Sequence, residues 1–245
     1  MNIVICGASS AIAQATALRY ADRATNVVLL ARDEAKLAAV AADYQARSQA
    51  DVATVCVDLT DHTAVAAAIE QAAARLKGFD LALVAQGSLP DQTRCEADYD
   101  YLRAAVQVNA ESVILCSQIL ANSMKTYSRG VLAVIGSVAG DRGRASNFAY
   151  GSCKAAVEAY CSGLRARLRT AGVHVLLIKP GMVATPMTAG MDMPGPLVST
   201  AEQIAEGIEK AVAKRRDAVY TPGYWALIML VIRLLPGVIF KRLNF

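Results

Sequence analysis

The chain has 245 residues, 55% of them hydrophobic and 19% charged, with a net charge of +4. That size and apolar content suit one α/β domain with a large buried core and exclude a disordered or low-complexity protein. The excess charge is local, since residues 210–245 hold seven Lys/Arg and one acid against 18 and 20 in residues 1–209. Those basic residues are interleaved with aliphatics, which argues against nucleic acid as a partner.

In chain order, apolar runs at 2–6, 26–31, 52–58, 80–85, 130–137, 173–179 and 217–221 predict seven strands. Helix-forming stretches at 12–20, 34–45, 64–76, 97–124, 150–169 and 201–215 fill the gaps. Such alternation predicts an α/β fold with a single Rossmann-type domain, a doubly wound seven-stranded parallel sheet with helices on both faces. The domain is expected over residues 1–224, with a lid near 185–199 and an appended tail at 225–245. Ligands of such sheets sit beyond the C-terminal strand ends, where Gly7, Arg32, Asp58, Gly87, Ser137 and Pro180 all fall.

The first strand runs into Cys6-Gly7-Ala8-Ser9-Ser10-Ala11-Ile12-Ala13, a turn of small residues that opens a helix. There, backbone N–H groups and a helix N-terminus can hold a pyrophosphate. After the second strand, Leu30-Ala31-Arg32-Asp33-Glu34 has Ala31 where an acid would accept from an adenosine ribose 2′-OH. Arg32 can instead form a fork to a 2′-phosphate, with Ser9 nearby as a donor, so the pattern points to NADP(H) rather than NAD(H). The structural alternative is a solvated Arg32 pairing with Asp33 or Glu34. Further on, Ser137 closes an apolar run, and Tyr150-Gly151-Ser152-Cys153-Lys154 sets a phenol four residues before an ammonium on one helical face. A strand end that delivers a hydroxyl and a helix that delivers Tyr and Lys make a site for moving a proton on or off an oxygen.

Metal chemistry is not expected. His62 and His174 lack the context of ligands, and the six cysteines show no CxxC and no ligand spacing. Several cysteines fall in predicted strands or helices as small apolar residues, which suggests a reducing compartment. The N-terminal apolar run has no basic n-region, so a secretory signal is not expected and a cytoplasmic location is.

Taken together, these motifs resemble the short-chain dehydrogenase/reductases over the chain as far as about Tyr224. The family's glycine-rich turn TGxxxGxG corresponds to residues 6–13, with Ala11 and Ala13 replacing two glycines, and its NNAG survives as Val84-Ala85-Gln86-Gly87. The resemblance matches Asp58 to the acid after the third strand, Asn109 to the helix asparagine, and Ser137, Tyr150 and Lys154 to the catalytic trio. Lys179-Pro180-Gly181 matches the Pro-Gly turn, with Thr185 at the nicotinamide carboxamide. It implies cofactor contacts from Gly7, Ser9, Ser10, Ala11, Ile12, Arg32, Asp58, Leu59, Ala85, Gly87, Tyr150, Lys154, Pro180, Gly181, Val183 and Thr185. Asp58 would cap the adenine amino group. It also implies hydride transfer between NADP(H) and a carbonyl or secondary alcohol, with Tyr150 as general acid/base, Ser137 on the substrate oxygen and Lys154 lowering the phenol pKa. Asn109 would hold a water that refills the proton; its structural alternative is to bend its helix. Relatives of this kind are homo-oligomers through helices around 97–125 and 150–170.

Two segments should set the substrate. Gly140-Asp141-Arg142-Gly143-Arg144-Ala145-Ser146-Asn147 carries two arginines that can address an anion, unless Asp141 neutralises one of them in a solvated loop. Residues 185–199, with Pro186, Met187, Met191, Met193, Pro194, Gly195 and Pro196, read as a lid over an apolar pocket. In the tail, the run 225–232 is too short to span a bilayer, which needs ~20 residues. Its Trp, aliphatics and flanking cations suit a peripheral membrane contact; the alternative is packing on the domain or a partner subunit to complete the pocket. The glycine-turn variant, the 140–147 loop and the tail together are similar to a subgroup that includes decaprenylphosphoryl-2-keto-pentose reductases. This resemblance implies a hydrophobic or lipid-linked keto-sugar substrate. A non-catalytic NADPH sensor or membrane-surface scaffold is the alternative from another functional class.

Overall fold

The computed structural model of the protein describes residues 1–190 and 195–242. Met191, Met193 and Pro194, which the sequence places in the lid, lie outside the described residues.

The chain alternates β1 (Asn2–Cys6), α1 (Ala11–Leu18), β2 (Asn26–Ala31), α2 (Glu34–Ala46), β3 (Asp51–Cys56), α3 (His62–Leu76) and β4 (Leu81–Val84). Next come α4 (Gln92–Ala97), α5 (Tyr99–Val106), a π-helical turn (Gln107–Glu111), α6 (Ser112–Tyr127), β5 (Val131–Ile135), α7 (Phe148–Leu168) and β6 (His174–Pro180). The chain continues with β7 (Met182–Val183), β8 (Val198–Ser199), α8 (Ala201–Ala213), β9 (Ala218–Thr221), α9 (Trp225–Leu234) and α10 (Gly237–Phe240). Seven strands form one parallel sheet in the order β3-β2-β1-β4-β5-β6-β9, as the alternation predicts, and β7 pairs with β8 in a separate two-stranded ribbon.

The strands are apolar on both faces because both are covered. Val4, Leu30, Val84, Val134 and Leu177 face a core closed by Ile69, Leu120 and Leu164 of α3, α6 and α7. Their neighbours Ile5, Leu29, Leu83, Ala133 and Ile178 face the opposite core under Ala17, Leu37 and Ile208 of α1, α2 and α8. This is the period-2 alternation of a strand, with burial on either side.

After β3 the chain crosses back to place β4 on the other side of β1, so the direction of winding reverses between β1 and β4. A crevice opens at such a point beyond the strand C-termini. Gly7 sits at its mouth with φ +85°, and an added Cβ there would lie 2.5 Å from the backbone nitrogen of Gln86. Only glycine tolerates both the conformation and the approach.

Several boundaries differ from the sequence reading for local reasons. β3 stops at Cys56 and β5 at Ile135, so Asp58 and Ser137 lie two residues beyond their strands. The single helix expected over 97–124 is divided. Asp98 ends α4 and caps α5, accepting from Tyr101 N, and the π turn then separates α5 from α6. The continuous helical run Tyr99–Tyr127 is long and apolar enough to cross a bilayer by those measures, but half of its most apolar window is buried in the molecule. α9 has 10 residues, too few for a span.

Candidate active site

A cavity of about 500 Å³ lies over the C-terminal ends of β1, β2, β4, β5 and β6. Every site residue expected from the sequence lines it except Asn109.

At one end are Gly7, Ser9, Ser10, Ala11 and Ile12. Ser10 is the N-cap of α1, yet its side chain makes no cap hydrogen bond, and no acidic residue stands in the first turn. The helix therefore presents its unpaired N–H groups and positive dipole end uncompensated, a donor set suited to phosphate oxygens. Arg32, Asp58 and Leu59 extend this wall. Asp33 accepts from Lys36 N and pairs with the Lys36 side chain, and Arg32 has no ion pair among the described residues. The alternative in which Arg32 pairs with Asp33 or Glu34 does not occur. Asp58 accepts from Thr60 N and Thr60 Oγ1, each at 2.9 Å, and these bonds, with a smaller pull from Arg32, hold its carboxyl below the usual range. Ala85 and Gly87 after β4, and Pro180, Gly181, Val183 and Thr185 after β6, complete the walls. The uncapped start of α1 and the Arg32 guanidinium thus line one end of the same cavity.

At the other end stand Ser137, Tyr150 and Lys154. Ser137 Oγ accepts from Ala139 N at 3.1 Å, which starts a short 3-10 turn at Val138–Gly140. Burial pushes the Tyr150 phenol up to about 12, with Ser137 pulling it back and the Cys153 thiol pushing it further. Lys154 is 3% exposed. Its Nζ donates to Ile135 O at 3.1 Å and lies 5.5 Å from the centre of the Tyr150 ring. Burial brings its pKa down to about 8, against a smaller upward push from the thiols of Cys153 and Cys161. Desolvation outweighs any pull of the ammonium on the phenol, since both groups are removed from water, so the phenol is raised where the sequence reading has Lys154 lower it.

Asn109 lies in the π turn, fully buried. Its Nδ2 donates to Ala105 O at 2.9 Å and Ser88 Oγ at 3.2 Å, and its Oδ1 accepts from Ser88 N at 2.9 Å. The amide ties the widened helix to Ser88 on the turn after β4.

The loop between Ser137 and Tyr150 sends its charges in three directions. Asp141 pairs with Lys179, not with an arginine, and accepts from Tyr220 Oη at 2.7 Å. Lys179 also donates to both oxygens of Glu158, and although burial pulls its pKa down, these hydrogen bonds raise it on balance. Arg142 donates to Ile232 O and Leu235 O, each at 2.6 Å, and its guanidinium lies 3.8 Å from the centre of the Phe240 ring. Arg144 lines the cavity.

In the sequence Trp225 opens a tail whose alternative role is to pack on the domain and complete the pocket, and Trp225 stands in the cavity wall. It is 3% exposed and packs with Val138 and Met229. A Cβ on Gly181 would fall inside the indole ring, so the Pro-Gly turn is also the seat of this tryptophan. The inner face of α9 therefore completes the pocket, while Leu227 (67% exposed), Leu230, Val231 and Leu234 (73%) face outward. A glycine facing a distant tryptophan leaves no local signal in the sequence.

A cleft that seats a dinucleotide at one end and holds a buried phenol and ammonium at the other is that of a dinucleotide-dependent oxidoreductase. Residues 1–193 match the family model described as short chain dehydrogenase. An uncharacterized oxidoreductase of Mycobacterium tuberculosis is 36% identical over 243 residues, covering 98% of this chain and 96% of that protein. Among solved structures, a short-chain dehydrogenase from Sphingobium yanoikuyae in complex with NADPH has a TM-score of 0.79 at 23% identity, covering 96% of both chains. A 3-oxoacyl-(acyl-carrier protein) reductase with bound NAD from Brucella melitensis has a TM-score of 0.76 at 21% identity, covering 89% of this chain and 88% of that one. The chain belongs to the short-chain dehydrogenase/reductase family.

Proposed function

We propose that the protein is an NADP(H)-dependent reductase of a hydrophobic or lipid-linked carbonyl, working at the cytoplasmic face of a membrane. Residues 1–224 carry the chemistry, and the tail at 225–245 closes the pocket through Trp225 and contacts the lipid with its outward face. The observation that carries the reading is the shared cavity of Ser137, Tyr150 and Lys154, with a phenol that stays protonated at neutral pH. A bound nicotinamide supplies the hydride. Ser137 orients the carbonyl oxygen, and Tyr150 donates its proton to that oxygen as negative charge develops on it. Lys154 positions the phenol and stabilises the phenolate left behind. Asn109 keeps the floor of the site in place through Ser88.

NADP(H) is favoured because Ala31 offers no carboxylate to a ribose 2′-OH and Arg32 is free to meet a 2′-phosphate. Of the two solved structures compared above, one holds NADPH and the other NAD, so the preference rests on Arg32. The membrane contact is supported by the outward apolar side chains of α9, followed by Val238 and Ile239, with Arg233, Lys241 and Arg242 nearby in sequence. An apolar wall that includes Trp225 and Met187 suits a greasy substrate.

Titration with NADPH and NADH, read by nicotinamide fluorescence, tests the cofactor half. Arg32→Ala should weaken NADPH by roughly 10- to 100-fold and leave NADH unchanged. Equal loss of both cofactors would remove the 2′-phosphate assignment. Tyr150→Phe tests the chemistry. It should lower kcat/KM for any accepted ketone by about 10²–10⁴-fold with NADPH affinity intact. Undiminished turnover in that variant, or NADPH binding with no turnover of a broad ketone panel, would favour the sensor or scaffold reading.

A further inference from the structure

The cavity contains an arginine for which the proposed reaction has no use. Arg144 lies on the loop that joins Ser137 to Tyr150, lines the cavity, and makes no side-chain hydrogen bond or ion pair among the described residues. Its Nε–H is buried without a partner. An unpaired buried donor on a cation is costly, and burial lowers the Arg144 pKa against a smaller opposing pull from Asp141. Asp141 does not compensate it fully, because that carboxylate is already engaged by Lys179 and Tyr220. The contrast with Arg142, two residues earlier, is direct. Arg142 is consumed by the carbonyls of Ile232 and Leu235 and by the Phe240 ring.

The partner that Arg144 lacks is not the cofactor's phosphates. Those belong to the start of α1, after β1, and to Arg32, after β2. Arg144 follows β5, two strands from β1 and three from β2 in the sheet. At ~4.8 Å per strand, these separations are about 10 and 14 Å. Trp225, the first residue of α9, packs against Gly181 on the turn after β6 and lines the same cavity.

We infer that Arg144 is the anchor of an oxyanion subsite in the substrate chamber, and that the ligand carries a phosphoryl or carboxylate group beside its reacting centre. Arg144 would bind that group through charge-assisted hydrogen bonds from the terminal nitrogens of its guanidinium. The inference rests on the reading of this cavity as a substrate chamber, and it names the specificity of that chamber.

Calorimetric titration of the NADPH-saturated full chain separates the two ideas, because it reads binding and not turnover. The probes are hexyl phosphate, hexanoate and hexan-1-ol, and saturating NADPH blocks the Arg32 end. The unaltered protein should bind one of the two anions at least about tenfold more tightly than the alcohol. Whichever anion binds tighter identifies the group. Arg144→Gln should erase that preference without changing alcohol or NADPH binding, and Arg144→Lys should restore part of it. Three results would overturn the inference: no anion preference in the unaltered protein, a preference that survives Arg144→Gln, or weaker NADPH binding in that variant. If no ketone is reduced while the Arg144-dependent preference stands, the reductase reading fails and the oxyanion subsite holds. If ketones are reduced with no anion preference, the reverse is true.

Discussion

The two ends of the cleft are built by different means. The phosphate end uses backbone and small side chains at the ends of β1, β2 and β4, with Ser10 left uncapped and Arg32 unpaired. The substrate end uses large side chains brought from far apart in the chain: Tyr150 from α7, Trp225 from α9, and an Asp141–Lys179–Glu158 group that braces the loop between them. The first end leaves its polar groups free for a ligand. The second spends most of them on the protein itself, so its shape depends on packing that a single substitution can undo. Arg144 is the exception at that end.

The largest difference should come from Trp225→Ala. Removing a tryptophan buried to 3% exposure leaves a cavity, and such changes cost about 3–5 kcal/mol. Ser10→Ala, at the phosphate end, should cost less than about 0.5 kcal/mol, because that side chain caps nothing. Urea unfolding of the two variants checks the pair. Equal costs would erase the distinction between a packed end and an open one.

A smaller effect separates Lys154 from the exposed cations. Its pKa falls from 10.5 to about 8 in the folded protein. Below pH 8 both folded and unfolded chains carry the proton, and the folded one bears the cost of burying it. Between 8 and 10.5 the folded protein gives up the proton while the unfolded chain keeps it, so stability rises with pH across that window. The shift is worth roughly 3 kcal/mol, an upper figure for a group that also bonds Ile135 O. The Tyr150 phenol works in the opposite sense at higher pH. Raised from 10 to about 12, it remains protonated when the unfolded phenol has ionised, so stability falls across that range. Guanidinium unfolding of the unaltered protein and Lys154→Met from pH 7 to pH 10 should therefore show the gap shifting in favour of the unaltered protein. A gap that does not change with pH would mean that Lys154 is not the buried cation described.

How much of this was legible in the sequence follows the same division. The seven parallel strands and the glycine turn were readable because covered parallel strands are continuously apolar, and because Gly7 must sit where β1 meets the backbone of Gln86. The Ser137, Tyr150 and Lys154 group was readable from strand end and helix spacing. The π turn within the helix expected over 97–124 was not, since it needs only one extra residue and leaves the apolar pattern almost intact. Nor was the choice between Arg142 and Arg144. Both stand in one polar loop, and their fates depend on α9, about 90 residues later in the chain. The alternative in which Asp141 neutralises an arginine names the wrong cation, because Lys179, on the adjacent strand β6, is the one that pairs with it. Local sequence cannot rank partners that only the fold brings together.

The smallest effect tests the link between that loop and the tail. The carbonyls of Ile232 and Leu235 belong to the end of α9, where the helix leaves acceptors without internal donors. Arg142 fills two of them and places its charge at the negative end of the helix dipole. It also covers the Phe240 ring of α10. Arg142→Ala should therefore loosen α9 and α10 together, costing about 1–2 kcal/mol. Because Trp225 and Met229 hold the start of α9 independently, the loss should be local. Amide exchange should speed up at residues 231–240 and stay unchanged at 225–229 and in the sheet. Faster exchange along the whole of α9 would mean that the arginine, and not the tryptophan, holds the tail against the pocket. Unchanged exchange would mean that the tail is fixed by its apolar inner face alone.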